Sequence, residues 1–174
     1  AVLANSEAAF EAALAKAFAA MDSLGAGGEA KKTYPSLESA AKERPDARVC
    51  MLSIPGEYAK AEAIRALNAG LHVIIFSSHI PPEDEREIKA LAREKGLLCM
   101  GPDCGVVNLN GAAFLLASVT KRGPFGLCGA TGVGIQHVGA LLHAANSGVS
   151  QVIGTGGGDL KHPVGGLSML TGID

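Results

Sequence analysis

Short apolar runs alternate with amphipathic segments through most of the chain. Residues 49–54, 71–76 and 97–100 are almost continuously apolar, which is typical of parallel strands that are buried on both faces. The segments between them, residues 57–69 and a segment that begins at Pro82, have helical spacing and end at glycines. This rhythm predicts an α/β fold with an open, doubly wound sheet, whose ligands bind beyond the carboxyl ends of the strands.

The first 44 residues precede this alternation. A helix is predicted over residues 6–24, where Phe10, Leu14 and Phe18 recur at a spacing of four. The glycine-rich stretch at residues 25–35 is expected to be flexible or to span a domain boundary. Ser36 is expected to begin a short helix that runs to about residue 44.

A second unit is predicted to begin near residues 122–124. The turn signal at residues 108–111, Asn-Leu-Asn-Gly, predicts a hairpin before it. After it, a strand at 125–128, a helix at 132–146 and a strand at 149–154 form the start of a βαβ unit. The chain ends inside a predicted helix, so we interpret it as a fragment of a longer protein.

The turn between the first strand and the helix of this unit is rich in glycine. Because glycine allows positive φ and close backbone approach, the amides at the first turn of the helix can point outward. Unpaired amides at a helix N-terminus suit phosphate or carboxylate. The predicted anion site comprises Gly129, Ala130, Thr131, Gly132, Val133 and Gly134, with Gly156, Gly157, Gly158 and Asp159 in an adjoining loop.

Two nucleotide motifs do not match this turn. Its glycines do not follow the G-x-G-x-x-G spacing, and no lysine follows Gly134 as a P-loop requires. We therefore interpret it as a generic anion cradle, the alternative being that the glycines only permit tight helix packing. For Asp159 the alternatives are that it orients a ligand or that it caps the next helix.

The carboxyl ends of the first three predicted strands carry similar turns. Residues 53–56, 77–81 and 101–105 each combine proline or glycine with small polar groups. Such turns suit a crevice for a nucleotide-like ligand, with ordinary strand-to-helix turns as the alternative. The histidines are interpreted as structural, and no catalytic residue is assigned.

Charge and cysteine content exclude several classes of function. A net charge of −2 gives no general attraction for nucleic acid, and no apolar run approaches the ~20 residues of a membrane span. We therefore expect a cytoplasmic protein. The four cysteines show no C-x-x-C spacing, so neither a metal site nor a disulfide is predicted. Cys50, Cys99 and Cys128 are expected to be core thiols, whereas Cys104 lies in a predicted turn.

Three sequence runs carry a family resemblance. Residues 96–105, 126–134 and 154–159 resemble the α subunit of succinyl-CoA synthetase, and more closely the FdrA proteins, a divergent branch of acyl-CoA synthetases. The resemblance extends over residues 45–170. It implies a Rossmann-like, CoA-binding-type domain at residues 1–119 and the first part of a flavodoxin-like ligase domain at residues 123–174.

The resemblance also implies a site. The strand ends that would line a CoA crevice are represented by Ile54, Pro55, Ser78, His79, Ile80, Pro102, Asp103 and Cys104. The glycine turn would face a phosphohistidine, which by this comparison falls beyond Asp174. Asparagine in the synthetases is replaced by Asp103, and two serines of their phosphate turn are replaced by Gly129 and Thr131.

The function implied is that of a subunit that handles an acyl phosphate. Its chemistry is either acyl-CoA ligation or carbamoyl transfer in allantoin-type purine catabolism, and the alternative is a non-catalytic scaffold that binds CoA or a nucleotide. The expected ligands are CoA and a phosphate or acyl phosphate, with the nucleotide left open. The expected partner is a second copy of the chain or a synthetase β-type subunit.

Overall fold

The computed structural model describes residues 6–26 and 32–174, and the chain divides into two compact units at residues 35 and 36. The described part of the first unit contains helix α1 (Glu7–Ala26), and Ser6 caps it by accepting the amide of Ala9 on its Oγ at 3.2 Å. The predicted N-terminal helix is therefore confirmed. Of the predicted glycine-rich stretch, residues 27–31 lie outside the described residues.

The second unit begins with a three-stranded parallel sheet. Strands β1 (Val49–Leu52), β2 (His72–Ile75) and β3 (Cys99–Met100) lie in that order. The helices of this part are α2 (Leu37–Glu43), α3 (Gly56–Asn68) and α4 (Pro82–Glu94). Each element matches one predicted from the alternation of apolar runs and helical spacing, with strands shorter by one or two residues at their ends.

A four-stranded mixed sheet follows. It contains β4 (Val106–Leu109), β5 (Ala112–Leu115), β6 (Arg122–Gly129) and β7 (Val149–Gly154), with α5 (Gly132–Ala144) and α6 (Leu167–Ile173). The strand order is β5-β4-β7-β6, in which β6 and β7 are parallel and β4 is antiparallel to both of its neighbours. The β4–β5 hairpin confirms the predicted turn. Because β4 pairs with β7, this sheet contains strands from both sides of residues 119–123, and the predicted domain division there stays a prediction.

Strand β2 is the central strand of the parallel sheet. Val73, Ile74 and Ile75 are fully buried, which explains why residues 71–76 are apolar without alternation. Helix α3 covers one face with small residues at helical spacing, among them Ala59 and Ala63, which are also fully buried. Truncating a β2 isoleucine to alanine is expected to cost about 2–5 kcal/mol, because the rigid surroundings would leave a cavity.

Three of the cysteines contribute to the core, as predicted. Cys99 is buried, and Cys50 and Cys128 are partly buried and pack against core clusters. Cys104, which lies in the predicted turn, is 2% exposed and belongs to the core cluster with Ile74 and Met100. Burial raises the pKa of all four thiols, and raises that of Cys99 to about 12.

Candidate functional site

Ser77 joins the loops that follow the three parallel strands. Its Oγ accepts the amide of Ile54 at 3.0 Å, and its carbonyl accepts the amide of Asp103 at 3.1 Å. The carboxyl ends of β1, β2 and β3 are therefore tied together by one residue. These hydrogen bonds fix the edge of the sheet where a doubly wound fold binds its ligands.

The same edge continues into the second sheet. Gly156, which follows β7, packs so closely on Gly101 and Pro102 that a Cβ there would collide with the Pro102 carbonyl, and its φ of 87° also favours glycine. The amide of Thr155 donates to the carbonyl of Gly129 at 2.9 Å. The loops after β1, β2, β3, β7 and β6 thus form one continuous rim.

An open cavity of about 480 Å³ lies at the β1 and β2 end of this rim. Its lining residues are Ser53, Ile54, Pro55, Gly56, Phe76, Ser77, Ser78 and His79. Helix α3 begins in this cavity, and its N-cap residue, Pro55, makes no side-chain cap. Because the first amides of a helix have no intrahelical acceptor, the start of α3 can receive an anion.

The cavity contains half of the predicted crevice residues. Ile54, Pro55, Ser78 and His79 line it, whereas the other four do not. Ile80, Pro102, Asp103 and Cys104 lie outside the lining of this cavity, and their place in a ligand crevice stays a prediction. Ile80 packs on the core beneath α3 and α4, Pro102 and Cys104 are buried, and Asp103 is exposed beside the Ser77 loop.

Two of these residues have left-handed backbone conformations. His79 has a φ of 61° and Asp103 a φ of 55°, which is uncommon for residues other than glycine, although His and Asp tolerate it better than most. The ring Nδ1 of His79 lies 3.0 Å from the Oγ of Ser78. Such conformations persist where the surrounding structure imposes them, and they often occur at binding sites.

The N-terminus of α5 lies at the other end of the rim. Thr131 caps the helix, and its Oγ1 accepts the amide of Gly134 at 3.5 Å. One of the amides predicted to face an anion is therefore already engaged. Gly132 and Val133 occupy the first helical turn, where amides have no intrahelical acceptor, and the side chain of Val133 is 82% exposed.

The glycines of this turn also permit tight packing. A Cβ on Gly129 would lie 3.2 Å from Ile135, and one on Gly132 would lie 3.1 Å from Val106. Both distances are shorter than most real Cβ contacts. The packing interpretation therefore applies to the turn, and the anion-cradle interpretation stays a prediction.

Asp159 caps α6, which corrects its predicted place among the anion-binding residues. It is fully buried, and its carboxylate accepts the amides of Ser168 and Met169 at 3.0 Å each. A carboxylate whose oxygens are engaged in this way cannot turn toward a ligand in the rim. Gly157, in contrast, is exposed and has open space where a Cβ would lie.

Sequence reasoning missed Lys89. Its Nζ donates to Glu85 at 2.5 Å, to the carbonyl of Thr155 at 2.8 Å and to Asp159 at 2.9 Å, and its side chain is 1% exposed. The signal was the i, i+4 spacing of Glu85 and Lys89 within the same stripe of α4 as Ile88 and Ala92, which is the buried stripe. Two opposite charges on an apolar helix face indicate a buried ion pair.

Two histidines have structural roles, as predicted. The Nδ1 of His72 accepts the amide of Leu98, and that of His143 accepts the amide of Lys121, both at 2.9 Å. Burial lowers the pKa of His72. Among residues 6–26 and 32–174, no group of three or more His, Cys, Asp or Glu side chains is arranged to hold a metal ion, and no helix has the length and apolarity to span a membrane.

No family model matches the chain. It is 44% identical to the uncharacterized protein YahF of Escherichia coli K12 over 146 aligned residues. The alignment covers 84% of this chain and 28% of YahF. It is 26% identical to the mitochondrial succinate–CoA ligase [ADP-forming] subunit alpha-2 of Trichomonas vaginalis over 120 aligned residues. This alignment covers 66% of the chain and 39% of the subunit. The chain is homologous to succinyl-CoA synthetase α subunits. It spans less than half of the length of either relative.

The fold is similar to that of one part of the ATP citrate lyase from Methanothrix soehngenii, a structure solved in complex with citrate and coenzyme A. The TM-score is 0.64 at 18% identity, over 71% of this chain and 22% of the lyase chain. The predicted α/β class with a parallel sheet is confirmed. At this identity the likeness shows the fold alone.

Proposed function

We propose that the chain is the CoA-binding part of an acyl-CoA ligase of the succinyl-CoA synthetase α type, and that it belongs to the FdrA branch. The observation that supports this most strongly is the continuous rim. The rim has an open cavity at the start of α3 and, on the same edge, the start of α5, whose first-turn amides have no intrahelical acceptor. A ligase needs both, because an acyl phosphate and CoA must meet for the acyl group to be transferred.

The cavity between β1 and β2 is the proposed CoA site. About 480 Å³ falls within the ~300–1,000 Å³ of typical small-molecule sites. The uncapped start of α3 would receive a phosphate group of CoA, while Ile54 and Phe76 supply apolar surface beside it. Ser53, Ser78 and His79 supply the polar groups that orient the ligand. The donor set therefore fits a ligand with both anionic and apolar parts.

The start of α5 is the proposed site for the phosphate of the acyl phosphate. The amides of Gly132 and Val133 would hold the phosphoryl oxygens, and their fixed dipoles would stabilise negative charge that develops on them. Gly157 would complete the site from the adjoining loop, which Thr155 ties to Gly129, because it has open space where a side chain would lie. Carbamoyl phosphate carries the same group, so carbamoyl transfer uses this site equally well.

A non-catalytic CoA or nucleotide-binding scaffold is the second candidate. It is favoured by the start of α5, where the Thr131 hydroxyl already accepts the amide of Gly134 and Gly129 and Gly132 permit tight packing, so that the turn is explained without an acyl phosphate. A β-type subunit or a second copy of the chain is the proposed partner in either case. The proposed domains are residues 1–119 and residues 123–174, and the proposed compartment is the cytoplasm.

Calorimetric titration with CoA tests the proposal. Ser53→Glu places a charge at the exposed mouth of the cavity and is expected to abolish CoA binding. Ala61→Glu, an equally exposed position on α3, is the matched control and should bind as the unmodified protein does. Equal affinity in the two variants would reject the cavity as the CoA site. Turnover of carbamoyl phosphate or of CoA with a carboxylic acid, with partner subunit present, then distinguishes a ligase or carbamoyltransferase from a scaffold.

A further inference from the structure

Lys89 contacts both ends of the glycine loop that follows β7. Its ammonium group donates to the carbonyl of Thr155 at the first residue of the loop and to the carboxylate of Asp159 at the last. Its third hydrogen bond is to Glu85, one turn earlier on α4. An ammonium group has three donors, so every donor of Lys89 is engaged and two of them fix the span of one loop.

The interior of the loop is fixed by packing. Gly156 lies against Gly101 and Pro102, and a Cβ on Gly158 would lie 2.5 Å from Oε2 of Glu85. Gly157 is the exposed residue between them, with nothing within 4 Å of a Cβ. Gly157 is therefore the most exposed residue of the loop, and both of its neighbours are held by packing.

The position of this loop affects the turn that begins α5. The amide of Thr155 donates to the carbonyl of Gly129 at 2.9 Å. Thr155 therefore connects Lys89, which donates to its carbonyl, with Gly129, the first residue of the glycine turn. Displacing Thr155 would move Gly129 and the amides that follow it. A change at Lys89 would thus reach the proposed phosphate site without any contact between Lys89 and the ligand.

We infer that Lys89 is a positioning residue that fixes the loop at residues 155–159 against the start of α5, so that Gly157 and the first amides of α5 hold one phosphate group. This inference rests on the proposed function for the ligand, but not for the order of the loop. The buried ammonium group of Lys89 on α4 thus acts on the ligand site indirectly, although α4 is far from the glycine turn in sequence.

Lys89→Met removes both loop contacts while keeping an unbranched side chain of similar length. The loop amides at residues 155–159 should lose protection from hydrogen exchange, because they would open locally. Affinity for inorganic phosphate should fall by about tenfold or more, since small misplacements of positioned groups have effects of this size. Lys60→Met is the matched control, because Lys60 also pairs with α4 carboxylates, Asp84 and Glu87, but is one-third exposed and lies outside the loop.

Two readouts separate this inference from the proposed function. If the unmodified protein binds no phosphate, the proposed site fails, and hydrogen exchange alone still decides whether Lys89 orders the loop. Loss of protection and of affinity in Lys89→Met, with both retained in Lys60→Met, supports the inference. Unchanged protection and phosphate affinity in Lys89→Met overturns it.

If Lys89→Met does not fold, a second pair of variants tests whether the position of the loop at residues 155–159 determines phosphate affinity. Gly158→Ala forces the loop away from Glu85 while Lys89 is retained, and Glu85→Ala makes room for the new methyl group. Phosphate affinity and loop protection should fall in Gly158→Ala and recover in the double variant Glu85→Ala/Gly158→Ala. Failure of the double variant to recover either property would overturn the inference.

Discussion

The amide nitrogen of Asp103 lies 3.1 Å from the carbonyl oxygen of Ser77. This hydrogen bond holds an exposed carboxylate next to a residue that lines the cavity at the ends of β1 and β2. CoA is polyanionic, so at the proposed CoA site the charge of Asp103 would oppose binding. By resemblance the synthetases have asparagine at this position, so replacing Asp103 by asparagine tests the effect of this one charge on CoA affinity.

Asp103→Asn is expected to strengthen CoA binding by about threefold at low salt, because a single exposed charge interaction is worth ~0.2–1 kcal/mol. Asparagine also tolerates the left-handed conformation at this residue, so the turn should be preserved. Calorimetry at low and high salt measures both the gain and its screening. Asp46→Asn, an exposed carboxylate at the amino end of β1, is the control. A CoA affinity that is equal in Asp103→Asn and the unmodified protein would show that the carboxylate does not face the ligand.

Val133→Asp is expected to separate stability from phosphate binding. An acidic residue in the first turn of α5 should stabilise the helix by ~0.3–1 kcal/mol, while its charge should abolish binding of inorganic phosphate at the same amides. Gly132 is less suitable for this test, since its packing on Val106 leaves little room. Val119→Asp is a control of matched exposure, 86% against 82%. If phosphate binds Val133→Asp normally, the start of α5 is not its site.

The two lysines that pair with carboxylates of α4 should differ in their effect on stability. Lys89→Met leaves Glu85 and Asp159 buried without their cation and is expected to cost about 3–5 kcal/mol. Lys60→Met breaks a partly exposed pair and should cost about 0–1 kcal/mol. Urea unfolding of each variant measures the difference. Equal losses of unfolding free energy would show that the Lys89 group is not buried in solution.

Cys99 should make stability fall at high pH. Burial raises its pKa from 9.0 to about 12, so the folded protein keeps a proton that the unfolded chain loses above about pH 9. The contribution of the protonated Cys99 thiol to the free energy of unfolding is therefore complete below pH 9. It declines as the pH rises toward 12, by ~1.4 kcal/mol per pH unit for one proton. Cys99→Ala should show a shallower decline of the unfolding free energy over this range. Parallel pH profiles for the two proteins would contradict the burial of this thiol.

The sequence predicted the order of elements well, because their cause is local. Continuous apolar runs marked β1 and β2, and glycines marked the ends of α3 and α4. The carboxyl-end turns were predicted as a ligand crevice, and Ile54 and Ser78 do lie in one cavity. Adjacent parallel strands bring their ends to the same edge, so this part of the site follows from the pattern alone.

The remainder depended on long-range contacts. Cys104 follows a turn in sequence, but its hydrogen bond to Ile75 buries it. Capping of the next helix was one of the two alternatives that the sequence allowed for Asp159, but nothing local shows that its carboxylate also meets Lys89, 70 positions earlier. Pairing of β4 with β7 across the predicted domain division was hidden for the same reason.

The central claim is that one rim carries a CoA cavity and a phosphate cradle. Amide chemical shifts of the isotope-labelled protein, followed during separate titrations with CoA and with inorganic phosphate, test it most directly. The account predicts that CoA shifts residues 53–56 and 76–79, and that phosphate shifts residues 132–134 and Gly157. Shifts elsewhere, or none at saturating ligand, would contradict it.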